Sequence, residues 1–237
     1  MAFTRQIIKL ARHSTEVRLV FDRYINESLK ARTRSKRTSG HEVKYRISDV
    51  TNISNISLKQ LLSHIDTKQD LTIYLSNHTV EALEEINKRY VVTVDTISRT
   101  NIEQFPEDMR QHDHEEADTL LVLHCWDIAR HDPFTECTVY SPDTDVFLLL
   151  VHHFESLPQS LIFRTGRGKD LRDISIRSCY EAIGPKHARA LLGLHTLTGC
   201  DQTGRFSSKS KSFWWKQFLE ADTDSLNALS ELGKKIF

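Results

Sequence analysis

The chain lacks a long apolar run, a net charge and a cysteine framework, and each shortage removes a class of protein. Its longest aliphatic stretch, VFLLLV (Val146 to Val151), falls far short of the ~20 residues that cross a bilayer as a helix. The N-terminal MAFTRQIIKLARHSTEVR carries charges throughout and has no apolar core of the secretory kind. The four cysteines (Cys125, Cys137, Cys179 and Cys200) are scattered, with no C-x-x-C pair. That pattern argues against a disulfide framework or a zinc site, and for reduced thiols in an intracellular protein. Neither nucleus nor cytoplasm is singled out, and no membrane association is expected. Lys plus Arg and Asp plus Glu are equal at 32 each, so total charge selects no partner. No internal repeat or low-complexity tract is visible.

What is present is globular: 237 residues, 39% hydrophobic and 27% charged, enough to bury a core as one domain. Charge is segregated along the chain. Lys30 to Arg46 holds seven basic residues and one acid, whereas Asn101 to Asp118 holds seven acids and one base. One segment is therefore cationic and another anionic. The pattern VRLVFD (Val17 to Asp22) predicts a buried strand, and VVTVDTI a β-branched one. SLKQLLSHI and HTVEALEEINKRY have helical spacing. HEEADTLLVLHCWDIAR reads as a helix with acids in or before its first turn. CTVYS is a strand, VFLLLVHHF a helix, and SLIFRTGRGKDLRDISI a hairpin around Gly166 to Lys169. IRSCYEAIG, PKHARALLGLHTLTG and FWWKQFL complete the helices. Strands alternating with helices predict an α/β sandwich with a mostly parallel central sheet, a β-hairpin insertion and a helical extension over 208–237.

The acids fall at particular places in this pattern. Asp22 ends a strand, Asp143 and Asp145 follow another, Glu116 and Asp118 open a helix, and Asp201 follows Gly199 in a turn. In open parallel sheets, chemistry collects beyond the carboxyl ends of the strands. Residues two apart do not share a helix face, so Glu116 and Asp118 reach one site only if the helix starts between them.

Four segments in order resemble the flap-endonuclease-like branch of the PIN-like nucleases. VFDRYINESLKARTRSKR resembles its strand ending in VFD followed by a basic helical arm. EEAD resembles its paired-acid element, SPDTDV its D-x-D pair, and LTGCD its last aspartate-bearing turn. The resemblance implies metal-dependent phosphodiester cleavage. Mg²⁺ or Mn²⁺ would be held by Asp22, Glu116, Asp118, Asp143, Asp145 and Asp201. It further implies that Lys30, Arg34 and Arg37 face the scissile phosphate of a DNA or RNA partner. The physics agrees. Two unit charges ~4 Å apart repel by about 4 kcal/mol at an effective dielectric near 20, so such a cluster needs cations. Oxygen ligands that leave room for water and phosphate suit Mg²⁺.

Two departures from the family matter. Nothing upstream supplies its additional first-strand aspartate, since Glu16 stands at the wrong end of VRLVFD; the first strand is missing from the chain, or the site is one ligand short. No helix-hairpin-helix follows Asp201, so flap specificity is not expected. An inactive descendant that binds nucleic acid or scaffolds is the competing function. A haloacid-dehalogenase-like reading of DTDV fails because Ser141 and Pro142 intervene and Phe147 holds a later position.

Each residue also has an ordinary structural role to weigh. Asp143 or Thr144 can cap a helix, Glu116 and Asp118 can complement its dipole, and Asp22 can form a salt bridge. His112, Asp113 and His114 read as an exposed acidic loop. RTGRGK (Arg164 to Lys169) lacks P-loop spacing and reads as a basic hairpin tip. Trp214 and Trp215 read as part of an amphipathic core helix.

Overall fold

A computed structural model describes residues 2–24, 43–114, 116–200 and 209–234. The chain forms two compact units, Met1–Ala117 and Asp118–Phe237. Each is mixed α/β and carries its own three-stranded sheet, so the α/β class is as expected, while among the described residues the strands form two small mixed sheets.

In the first unit, α1 (Ala2–Leu10) leads into β1 (Glu16–Val20). A short helix, α2 (Leu58–Leu61), precedes α3 (Ile65–Glu85), and β2 (Arg89–Val94) and β3 (Ile97–Thr100) follow. β1 pairs parallel with β2, and β2 antiparallel with β3. The helix α3 is one continuous element, although its middle reads as polar. Its buried hydroxyls explain this: Ser76 donates to the Ile73 carbonyl at 2.8 Å and Thr79 to that of Leu75 at 2.7 Å. Bonded back onto the helix, they enter the interior without orphaned donors. Asn87, at φ 52°, ends the helix in left-handed geometry.

The segment VVTVDTI, expected as one strand, is instead broken into a hairpin. Val94 pairs with Ile97 across a two-residue turn, and Asp95 takes φ 55°. Aspartate tolerates that conformation, so no glycine announces the turn. The core of this unit joins Val80 and Leu83 of α3 to Tyr90 and Val92 of β2, with Ile8, Val17, Leu19 and Phe21 against them. Burial, then a 2.6 Å hydrogen bond to Glu84, pushes the Tyr90 hydroxyl up to about 12.

After α4 (Glu107–Arg110), the helix α5 (Ala117–His131) opens the second unit, followed by β4 (Glu136–Tyr140) and α6 (Thr144–His152). β5 (Ser160–Thr165) pairs parallel with β4 and antiparallel with β6 (Arg172–Ser175). Next come α7 (Ile176–Thr198), α8 (Lys211–Leu219) and α9 (Thr223–Lys234). Gly184, at φ 77° and ψ 163°, breaks α7 into two helices, and Pro185 starts the second, a first-turn place where its missing N–H costs nothing.

The core joins Val139, Leu161 and Phe163 of the sheet to Val146 and Leu150 of α6 and Leu191 of α7. Phe218 of α8 and Leu226 of α9 belong to the same core, so the C-terminal helices are part of this unit's interior. Trp214 packs partly buried against it, whereas Trp215 is exposed.

Candidate functional site

The segment between β4 and α6 is built from local hydrogen bonds. The Ser141 amide donates to the Arg164 carbonyl at 3.1 Å, extending the β4–β5 ladder by one residue. The buried Ser141 Oγ then accepts the Asp143 amide at 3.1 Å, and Asp143 Oδ1 accepts the Asp145 amide at 2.9 Å. Asp143, at φ −88° and ψ 129°, is thus the N-cap of α6, and Asp145 stands in its first turn. The partial positive charge of a helix N-terminus lowers the cost of holding two carboxylates there.

The capping role expected of this turn is therefore filled, and it occupies one Asp143 oxygen. Asp145 Oδ1 lies 3.3 Å from His195 Nε2 of α7, with side chains 40% and 12% exposed respectively. That nitrogen is buried and has no hydrogen-bond partner, so the contact is a close approach of ring edge to carboxylate. His195 stands out in no local pattern; only the tertiary contact brings it to the site.

In the first unit, Asp22 lies two residues beyond β1. Its Oδ1 accepts the Ala117 amide at 3.1 Å, across 95 residues of chain, and among the described residues it forms no ion pair. α5 begins at Ala117, between Glu116 and Asp118. The local condition for both acids to address one site is met. Asp22 and Glu116 belong to the first unit, and Asp118, Asp143 and Asp145 to the second. Lys30, Arg34, Arg37 and Asp201 lie outside the described residues. Among the described residues, no group of three or more His, Cys, Asp or Glu side chains is arranged to hold an ion.

The loop before α5 departs from expectation. Asp113 is exposed, but both ring nitrogens of His112 are buried without a hydrogen-bond partner. Burial, then the neighbouring His114 and Arg23, holds the His112 imidazole below its ordinary pKa. Arg23 braces the loop, reaching Asp95 Oδ1 at 3.1 Å and the Asp113 carbonyl at 3.2 Å. A neutral ring here suits packing. The basic hairpin is as expected: β5 and β6 flank Gly166, and Arg164 pairs with Asp173 through two 2.6 Å contacts. Comparison with known protein families, curated proteins and solved structures finds no match for this chain.

Proposed function

We propose that the chain is a divalent-metal-dependent phosphodiesterase acting on nucleic acid, with Asp143 and Asp145 as ligands for Mg²⁺ or Mn²⁺. One observation carries the reading: Asp143 and Asp145 follow the carboxyl end of a parallel strand, as the N-cap and a first-turn residue of the next helix. A parallel strand–helix–strand arrangement recurs in each unit, and an acid follows the first strand of each, Asp22 after β1 and Asp143 after β4. The finer fold reading, a PIN-like architecture, is part of the same proposal.

The chain's own groups do the positioning. Ser141 and the start of α6 hold Asp143 in place, while His195 limits where the Asp145 carboxylate can turn. The bound cation would supply a water of lowered pKa and stabilise the charge developing on phosphate oxygens. Asp118, of the same unit as Asp143 and Asp145, would extend the ligand set.

The test is cleavage of labelled single- and double-stranded DNA and RNA with Mg²⁺ or Mn²⁺, and with chelator. Asp143→Asn and Asp145→Asn should each lower the rate by at least about 100-fold and leave thermal unfolding nearly unchanged. Wild-type rates in both variants would remove the proposal. Salt-sensitive binding with no metal-dependent turnover in the unaltered chain would identify the non-catalytic reading instead.

A further inference from the structure

We propose that the β5–β6 hairpin is a nucleic-acid contact, in which Arg167, Lys169 and Arg172 hold consecutive phosphates of a strand passing the carboxyl end of β4. The inference takes its ligand class from the proposed function but requires no cleavage.

Charge at the hairpin is sorted by position. At its base, Arg164 and Asp173 neutralise one another. Towards the tip, Arg167, Lys169 and Arg172 are exposed, with Asp170 as the one acid among them. None of the three cations forms an ion pair among the described residues, so the tip carries a net positive charge into solvent.

The tip is also closed as a tight turn, and a pre-formed turn lowers the entropy lost on binding. Gly166 sits at φ 90°, where a Cβ would lie 2.2 Å from the Asp170 carbonyl oxygen. The Asp170 amide donates to the Arg167 carbonyl at 3.0 Å, closing a tight turn. Lys169 and Arg172 help to line an open concavity of about 540 Å³ over Thr165 and Gly166.

The hairpin is tethered to the candidate site within the same unit. The Tyr140 hydroxyl donates to the Gly166 carbonyl at 3.1 Å, and the Ser141 amide to that of Arg164. Tyr140 and Ser141 lead directly into Asp143. The hairpin is thereby fastened to the carboxyl end of β4, the strand that leads to the two aspartates. An acidic membrane surface fits poorly there, because Leu171 is the one large exposed apolar side chain at the tip and offers little to insert. A nucleic-acid strand fits better: cations can bridge its phosphates to those carboxylates, and the half-exposed Tyr140 ring can stack on a base.

The experiment is fluorescence anisotropy with a short labelled single-stranded DNA in chelator, across about 50–200 mM salt. The triple variant R167A/K169A/R172A should bind at least ~10-fold more weakly at the low-salt end. Its log–log salt slope should be shallower by about 2, since each phosphate contact on a single strand contributes ~0.7. R167K/R172K, which keeps the charge, should retain the wild-type slope. D143N/D145N should bind at least as tightly as wild type, so loss of cleavage and loss of this contact are separable. The inference is overturned if wild type does not bind the oligonucleotide or if the triple variant keeps its affinity and slope. Loss of binding to phosphatidylserine vesicles with oligonucleotide binding intact would equally overturn it.

Discussion

Replacing Gly193 by alanine sets two effects of opposite sign against each other. Gly193 lies in the second half of α7, and in an isolated helix alanine would be favoured by about 1 kcal/mol. Here an added Cβ would fall 1.9 Å from the Leu229 carbonyl oxygen and 2.7 Å from its carbon, both backbone atoms of α9. Even a tight 3.0 Å contact would require α9 to retreat by about 1.1 Å. That retreat would loosen Leu226 of α9 from the core. Overpacking of this kind costs about 1–3 kcal/mol, and here the obstacle is a helix backbone that no rotamer change can clear. We expect Gly193→Ala to destabilise the second unit by roughly 1–2 kcal/mol net, lowering Tm by about 5 °C. Urea and thermal unfolding followed by circular dichroism measure it. A variant as stable as wild type, or more so, would refute the reading of α7 and α9 as backbone-to-backbone neighbours.

Other outcomes follow from the site and its surroundings. Asp143→Ala should cost about 1 kcal/mol through loss of the α6 cap, and Asp143→Asn only a fraction of that; equal losses in denaturant titration would count against the capping geometry. Gly166→Ala should cost at least about 1–2 kcal/mol, because alanine resists the left-handed conformation, and should weaken oligonucleotide binding; unchanged Tm and affinity would contradict a pre-formed turn. His152 donates from Nδ1 to the Ala188 carbonyl at 3.1 Å, and burial holds its pKa below the ordinary 6.5. The unfolded chain therefore takes up the proton first as pH falls through 6.5, and this contribution to stability declines until the folded-state pKa is passed. His152→Gln should make the loss of Tm on acidification shallower, and an identical pH profile would show that the ring is not responsible.

Features specified by neighbouring residues could be read from the chain. Ser141, Pro142 and Asp143 mark a turn and a cap within a few positions, and the glycines of RTGRGK mark a hairpin. Both are found. The hairpin at Asp95 and Thr96 was missed because aspartate can adopt the required conformation without signalling it. The middle of α3, between the two segments read as helical, was missed because residues such as Ser76 look like surface residues until their hydroxyls bond to the helix. Contacts over long separations left no trace at all. His195 meets Asp145, and Asp22 meets the Ala117 amide, only because the chain has folded. The resemblance to a nuclease family gathered acids that are far apart in the sequence, but pairwise geometry is a property of packing that residue order does not contain.

The two parallel strand pairs differ in how much chain they enclose. Glu136 meets Ser160 after 24 positions, whereas Glu16 meets Arg89 only after 73. Closing the longer loop costs about 1 kcal/mol more in chain entropy, and distant pairings are slow to form. During folding the C-terminal unit should gain its sheet first. The first strand must wait for α3 to cross and deliver its partner.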